Sequence, residues 1–174
     1  KTLSEAQTHF GSQVIPVQYP FNAGSDFNAI IDVLNMVMYT YPPEGGIPQK
    51  NVIPDSEKER AEAMHRTLVE AVAANDEGLM EKYFEQGNLS EADLKNGLHF
   101  AMLNHDIFPV FCASAERNMG CGRIMSYVDY VCPSPQEMPA QKSMGGQDVP
   151  CDPDAPACIF IFKTIIEPHI GELS

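Results

Sequence analysis

The opening stretch, KTLSEAQTHFG, is polar and amphipathic and reads as the last turns of a helix that stops at Gly11. Glycine just past a helix is the usual left-handed terminator. Val14 to Phe21, VIPVQYPF, is a strand-like run followed by a turn-rich NAGSD. The next run, FNAIIDVLNMVMYTY from Phe27 to Tyr41, is rich in β-branched and aromatic residues and is broken at Asp32. Together these features predict two strands of a hairpin or meander. PPEGGIPQKN is a loop by composition.

From Pro54 the period changes. Ser56 precedes Glu59 by three positions, a capping-box spacing that satisfies orphan amides at a helix start. Ala61, Met64, Leu68 and Val72 recur at helical spacing and predict a buried stripe. Glu59, Glu62, Arg66 and Glu70 lie on another side, where Arg66 is four residues from either Glu62 or Glu70. Asn75 and Asp76 interrupt this helix and cap a second, which runs to about Glu85 and ends at Gly87. Ser90 opens a third with Leu94, Leu98 and Met102. After Asp106 the pattern returns to a buried strand, IFPVFCASA, then a glycine-containing turn and a helix from about Arg123 to Val131 that CPSP stops. Residues 136–155 are a Pro/Gly-rich connection without periodicity. The end, ACIFIFKTIIEPHIGELS, predicts a strand over Cys158 to Thr164, a turn at Glu167–Pro168 and the start of another strand.

Charge narrows the function. With 24 acidic and 11 basic residues the net charge is −13. Phosphate backbones are bound by Lys and Arg, so direct nucleic-acid binding is disfavoured and a basic protein surface is the better electrostatic match. No apolar run approaches the ~20 residues of a membrane-spanning helix, and no secretory signal is expected. The five cysteines, Cys112, Cys121, Cys132, Cys151 and Cys158, include no CxxC pair, so reduced, mostly buried thiols in a cytoplasmic protein are expected rather than a zinc site.

Several segments resemble elongation factor G, in the same order and at nearly the same spacing: FNAIIDVLNMVMYTY, LVEAVAANDEGLMEKYFEQGNLSEADLKNGL, PVFCASAERNMG, VDYVCPSP and FKTIIEPHIGELS. The resemblance covers essentially the whole chain. It implies an α/β fold: a partial P-loop GTPase-type G domain with an inserted α+β subdomain, followed by the first strands of a β-barrel. Residues 1–11 would end a G-domain helix, 12–106 form the insertion, 107–135 return to the G domain, 136–154 link, and 155–174 start the barrel of domain II.

Ser114 and Ala115 match the family's guanine-contacting loop, where backbone amides after a strand meet the purine carbonyl and small residues permit close approach. The resemblance also implies that the acidic insertion meets the basic domain of the ribosomal stalk protein. Between Asp55 and Asp106 there are twelve acidic and five basic residues, a formal charge of −7, and Glu59, Glu62 and Glu70 are the candidate partner-facing residues. The implied parent is a ribosome-associated GTPase using GTP and magnesium and promoting translocation. SAERNMGC in place of the family's lysine-rich stretch, Ala29 in place of a glycine, and the sequence around His99 point to a divergent paralogue. GxxxxGK[ST] and NKxD are not found in these 174 residues, so the chain alone is expected to be inactive, with no catalytic residue, metal or cofactor of its own. Two other functions fit the same features: a ribosome-protection GTPase, and a stand-alone acidic protein-binding module. A His105–Cys112 dyad lacks an orienting third residue, and His65, His99 and His105 do not share one helical face at ligand spacing.

Overall fold

The computed structural model describes residues 2–169 and 171–173. The fold is mixed α/β and divides into two units, Lys1–Pro133 and Ser134–Ser174. Helix α1, Thr2–Phe10, ends at Gly11, whose φ of 80° makes it the left-handed terminator expected from the sequence. The run expected as one strand from Val14 to Phe21 is two, β1 (Val14–Pro16) and β2 (Gln18–Pro20), in different sheets. Val17 is the crossing point. Its N–H donates to the Val110 carbonyl, and its own carbonyl accepts from Val33, each at 3.0 Å, so one residue serves both sheets.

Strands β3 (Ala29–Asp32) and β4 (Val37–Thr40) form the expected hairpin. Asp32 shapes its turn by accepting from the Asn35 backbone N–H at 2.9 Å and from Asn35 Nδ2 at 3.1 Å. The stretch expected to be wholly loop contains β5 (Gln49–Asn51). Its residues are polar and it packs little, so only its backbone pairing with β4 and the Asn51–Thr40 side-chain bond (3.1 Å) reveal it. The four strands run antiparallel in the order β2-β3-β4-β5.

Helix α2 is Asp55–Ala73, α3 Glu77–Gln86 and α4 Glu91–Leu103. The Ser56–Glu59 capping box does not form, because α2 starts at Asp55 and places Ser56 inside the first turn, behind Pro54 as the cap. The other two caps are as expected. Asp76 Oδ1 accepts from the Leu79 N–H at 2.8 Å and Ser90 Oγ from the Asp93 N–H at 3.1 Å. Gly87, at φ 70°, ends α3. A Cβ on Gly97 of α4 would lie 2.3 Å from Val72 and 2.7 Å from Leu79, so the three helices close on that glycine.

Strand β6 (Phe108–Val110) pairs in parallel with β1, Val14 opposite Phe108. In contrast to the buried strand expected here, Phe108 is exposed and Pro109 and Val110 are only half-buried, since β1 is the sole sheet neighbour of β6 among the described residues. The expected division sets Val14–Pro16 within 12–106 and Phe108–Val110 within 107–135, yet the two are hydrogen-bonded partners. Helix α5, Cys121–Tyr130, closes this unit.

Alternation along β3 sorts its side chains into two cores. Ile31 and Val33, with Val17 and Tyr19, bury against Leu68, Val72, Leu94 and Leu98 of the helices. Ile30 joins Tyr39, Tyr41 and Met119 in the other. Burying each such aliphatic side chain contributes about 1.5–3 kcal/mol.

In the second unit, residues 136–154 are not featureless: β7 (Gln141–Lys142) and β8 (Asp148–Val149) make a short antiparallel hairpin. The strand expected over Cys158–Thr164 is irregular, and Ile159, Phe160 and Phe162 are exposed. Strand structure occurs instead in β9 (Ile165–Glu167), paired with β10 (Gly171–Leu173) across the expected turn. The apolar run before β9 has no strand to pair with among the described residues, and apolar composition alone does not make a ladder. Among those residues no helix is long and apolar enough to cross a membrane.

Candidate functional site

Ser114 and Ala115 lie just beyond β6, in a loop closed by its own backbone. Ser114 and Met119 exchange two hydrogen bonds, 2.9 and 3.0 Å, and the Asn118 N–H donates to the Ala115 carbonyl at 3.1 Å with Asn118 left-handed at φ 49°. Met119 anchors the loop by complete burial of its side chain. Gly120 follows at φ 84°, where a Cβ would lie 2.7 Å from the Cys112 carbonyl oxygen, so only glycine fits as the chain turns into α5. The Ser114 amide is therefore occupied. Those of Ala115 and Glu116 donate to no acceptor among the described residues, and Ala115 is exposed.

Two loops of the antiparallel sheet clasp this tip. Arg117 Nη1 donates to the Ser25 carbonyl at 3.1 Å and the Phe27 carbonyl at 3.5 Å. On the other side the Gly46 N–H reaches the Asn118 carbonyl at 3.4 Å. Beside the loop opens a cleft of about 410 Å³, lined by Gly24, Phe27, Ala113, Ser114, Glu116 and Arg117 among others. Free amides beside small residues can donate to a flat ligand's carbonyl oxygen at close range. No local sequence signal marks the clasp: Gly45–Gly46 reads as loop composition and Arg117 as a departure from the family's lysine-rich stretch.

Burial pushes the Cys112 thiol, under the loop, up to about 12, which disfavours the thiolate that a nucleophile needs. All five cysteines are free, but they are not mostly buried. Cys112, Cys121 and Cys132 are half-buried, and Cys151 and Cys158 are exposed in the second unit, where little core exists to take them. His105 is exposed at φ 62°. His65 Nδ1 donates to the Val33 carbonyl at 2.8 Å and His99 Nδ1 to the Val131 carbonyl at 3.0 Å, so these two rings anchor α2 and α4.

Glu59, Glu62 and Glu70 are exposed along one face of α2. Glu70 accepts from the Tyr83 hydroxyl at 2.9 Å, which fixes its carboxylate between α2 and α3. Arg66, spaced so that it can pair with Glu62 or Glu70, pairs with neither: the ion pairs within α2 among the described residues are Lys58–Asp55 (2.6 Å) and Arg60–Glu57 (3.5 Å). Glu57 also takes the Tyr19 hydroxyl at 3.0 Å and so faces the sheet rather than solvent. The face is left with a surplus of negative charge.

Over its entire length the chain is 33% identical, across 181 aligned residues, to elongation factor G of Mycoplasma pneumoniae (strain ATCC 29342 / M129 / Subtype 1), covering 26% of that protein. The chain is thus similar over its whole length to elongation factor G. Elongation factor G 2 of Syntrophomonas wolfei is 29% identical over a stretch of the same length, again 26% of the relative. The chain thus spans about a quarter of the length of the curated relatives it matches. A crystal structure of a Thermus thermophilus protein matches 98% of this chain and 23% of its own at a TM-score of 0.71 and 25% identity. No family model matches the chain. The structural match bears out the mixed α/β fold described above.

Proposed function

We propose that this chain is part of a cytoplasmic, ribosome-associated translational GTPase that promotes translocation during protein synthesis. The observation that carries this reading is the loop at Ser114–Ala115, closed on itself and clasped from both sides, with the Ala115 and Glu116 amides open beside a cleft. In this reading that loop meets the guanine of GTP. The phosphates and magnesium are held by residues outside these 174, which contain no GxxxxGK[ST] cradle. The chain contributes ribosome contact through α2, whose Glu59, Glu62 and Glu70 face a basic domain of the stalk protein, and its charge of −13 makes it no nucleic-acid binder itself.

The test is calorimetric titration of the chain with the basic stalk domain. Weak binding is expected, weakening further with salt, because exposed opposite charges are screened over ~8 Å at physiological ionic strength. Reversing Glu59, Glu62 and Glu70 to Lys together should weaken it. Binding unchanged by that triple reversal would move the partner to another face. GTP titrated into the same chain should give no saturable heat.

A further inference from the structure

A second cleft, about 370 Å³, lies between the antiparallel sheet and α5. Its polarity is ordered by depth. Gln18 and Asp32, opposite one another on β2 and β3, are each only 5% exposed. Tyr39 and Tyr127, also buried, contribute aromatic walls. Lys50, exposed, and Lys95 and Arg123, half-exposed, stand at the mouth.

The floor is short of one hydrogen bond. Asp32 is supplied by both Asn35 donors, and Gln18 Nε2 donates to Asp32 Oδ2 at 3.5 Å. Gln18 Oε1 is buried with no partner. Reversing the amide gives no relief, since it would aim the carbonyl at the Asp32 carboxylate. A buried acceptor left unmatched is costly and rare in native proteins.

The mouth has donors to spare. Arg123 lies 4.7 Å over the Tyr39 ring and gives one N–H to the Tyr39 hydroxyl at 3.2 Å, which fixes the guanidinium with further donors uncommitted. Lys50 pairs with no carboxylate among the described residues, whereas Lys95 is bound to Glu91 at 2.7 Å. A simple anion would be attracted at the mouth and opposed by Asp32 below. A simple cation would meet the reverse.

We propose that this cleft binds a small zwitterion. Its ammonium N–H donates to Gln18 Oε1 beside the Asp32 carboxylate, and its carboxylate or phosphate is held by Arg123 and Lys50. The volume falls at the small end of ligand pockets and suits a molecule of amino-acid size. This proposal does not depend on the nucleotide reading, whose cleft is a separate one.

The experiment titrates the 174-residue chain with O-phosphoethanolamine, followed by calorimetry and by the Gln18 side-chain amide resonances. Ethanolamine and inorganic phosphate serve as its two halves. The zwitterion should bind saturably and shift the Gln18 resonances, with each half weaker by about tenfold or more. Gln18→Leu should abolish binding. Lys50→Met, at an exposed position that folding does not need, should weaken it about tenfold. Phosphate binding as tightly as phosphoethanolamine with Gln18 unmoved would overturn the proposal in favour of a plain anion site. No saturable binding by any probe would overturn it too, leaving Gln18 Oε1 to water. Undiminished binding by Gln18→Leu or by Lys50→Met would do the same.

Discussion

At Gly45 the backbone is left-handed, φ 79°, and sits so near the Arg117 carbonyl that a Cβ would lie 1.6 Å from its oxygen. Gly46 beside it is also left-handed, at φ 101°, but faces open space. The pair separates strain from contact. Gly46→Ala should lose only the left-handed penalty, about 1–2 kcal/mol. Gly45→Ala should lose that and the overpacking cost as well, roughly 2–5 kcal/mol together. Urea unfolding of the two variants checks this, and equal losses would mean the clasp on the Ser114–Ala115 loop is loose. The contact was invisible in the sequence because it joins residues far apart in the chain, and nothing local to GG says what crosses it. Ser114 and Ala115 themselves were legible only through the resemblance, since a Ser-Ala dipeptide carries no chemistry alone. Which amides are open, those of Ala115 and Glu116, depends on Met119 closing the loop from the far side.

One ion pair between α3 and α4 runs through Asp93. Asp93 accepts from Lys82 at 2.6 Å and from the Ser90 hydroxyl at 2.7 Å, and the Lys82 bond, then the Ser90 bond, holds its pKa below the ordinary 3.8. A carboxyl depressed by folding adds stability above its unfolded value and loses it as pH falls through the folded one. Asp93→Asn should therefore be less stable than the parent at neutral pH. The gap should close in acid, below 3.8, once the parent's Asp93 is protonated too. The urea midpoint followed against pH reads this, and a gap unchanged in acid would assign the loss to the Ser90 cap instead. The helices were the most legible elements because their signals, Asp76, Gly87 and Ser90, act within one turn. Strands were harder. Val14 to Phe21 looks continuous, and only pairing shows that Val17 divides it. Likewise the apolar Cys158–Thr164 run lacks the partner that would make it a strand.

At the scale of the whole molecule, the resemblance located the α/β class and the inserted α+β part. It did not locate the seam where the chain leaves one sheet for the other, because hydrophobicity continues across it. That seam governs time as well as space. Val14 and Phe108 are neighbours in the parallel pair, yet every element from β2 to α4 lies between them. Joining two ends of an unfolded segment that long costs about 4 kcal/mol in closure entropy. The strand pairings of the antiparallel meander join chain neighbours, and each of the three helices forms locally, so they need only shorter closures. Once they have formed, Val17, held by Val33, already stands where β1 must begin to meet β6. Refolding should therefore run from the middle of the chain outwards. In pulse-labelled exchange, amides of α2 and α4 should gain protection before the Val17 N–H bonded to Val110 and the Phe108 N–H bonded to Gln13. Earlier protection of the last two would reverse the order. A chain that folds this way keeps the strand leading to Ser114 loose until the inserted part is complete, so the loop is assembled only in molecules whose insertion has already folded.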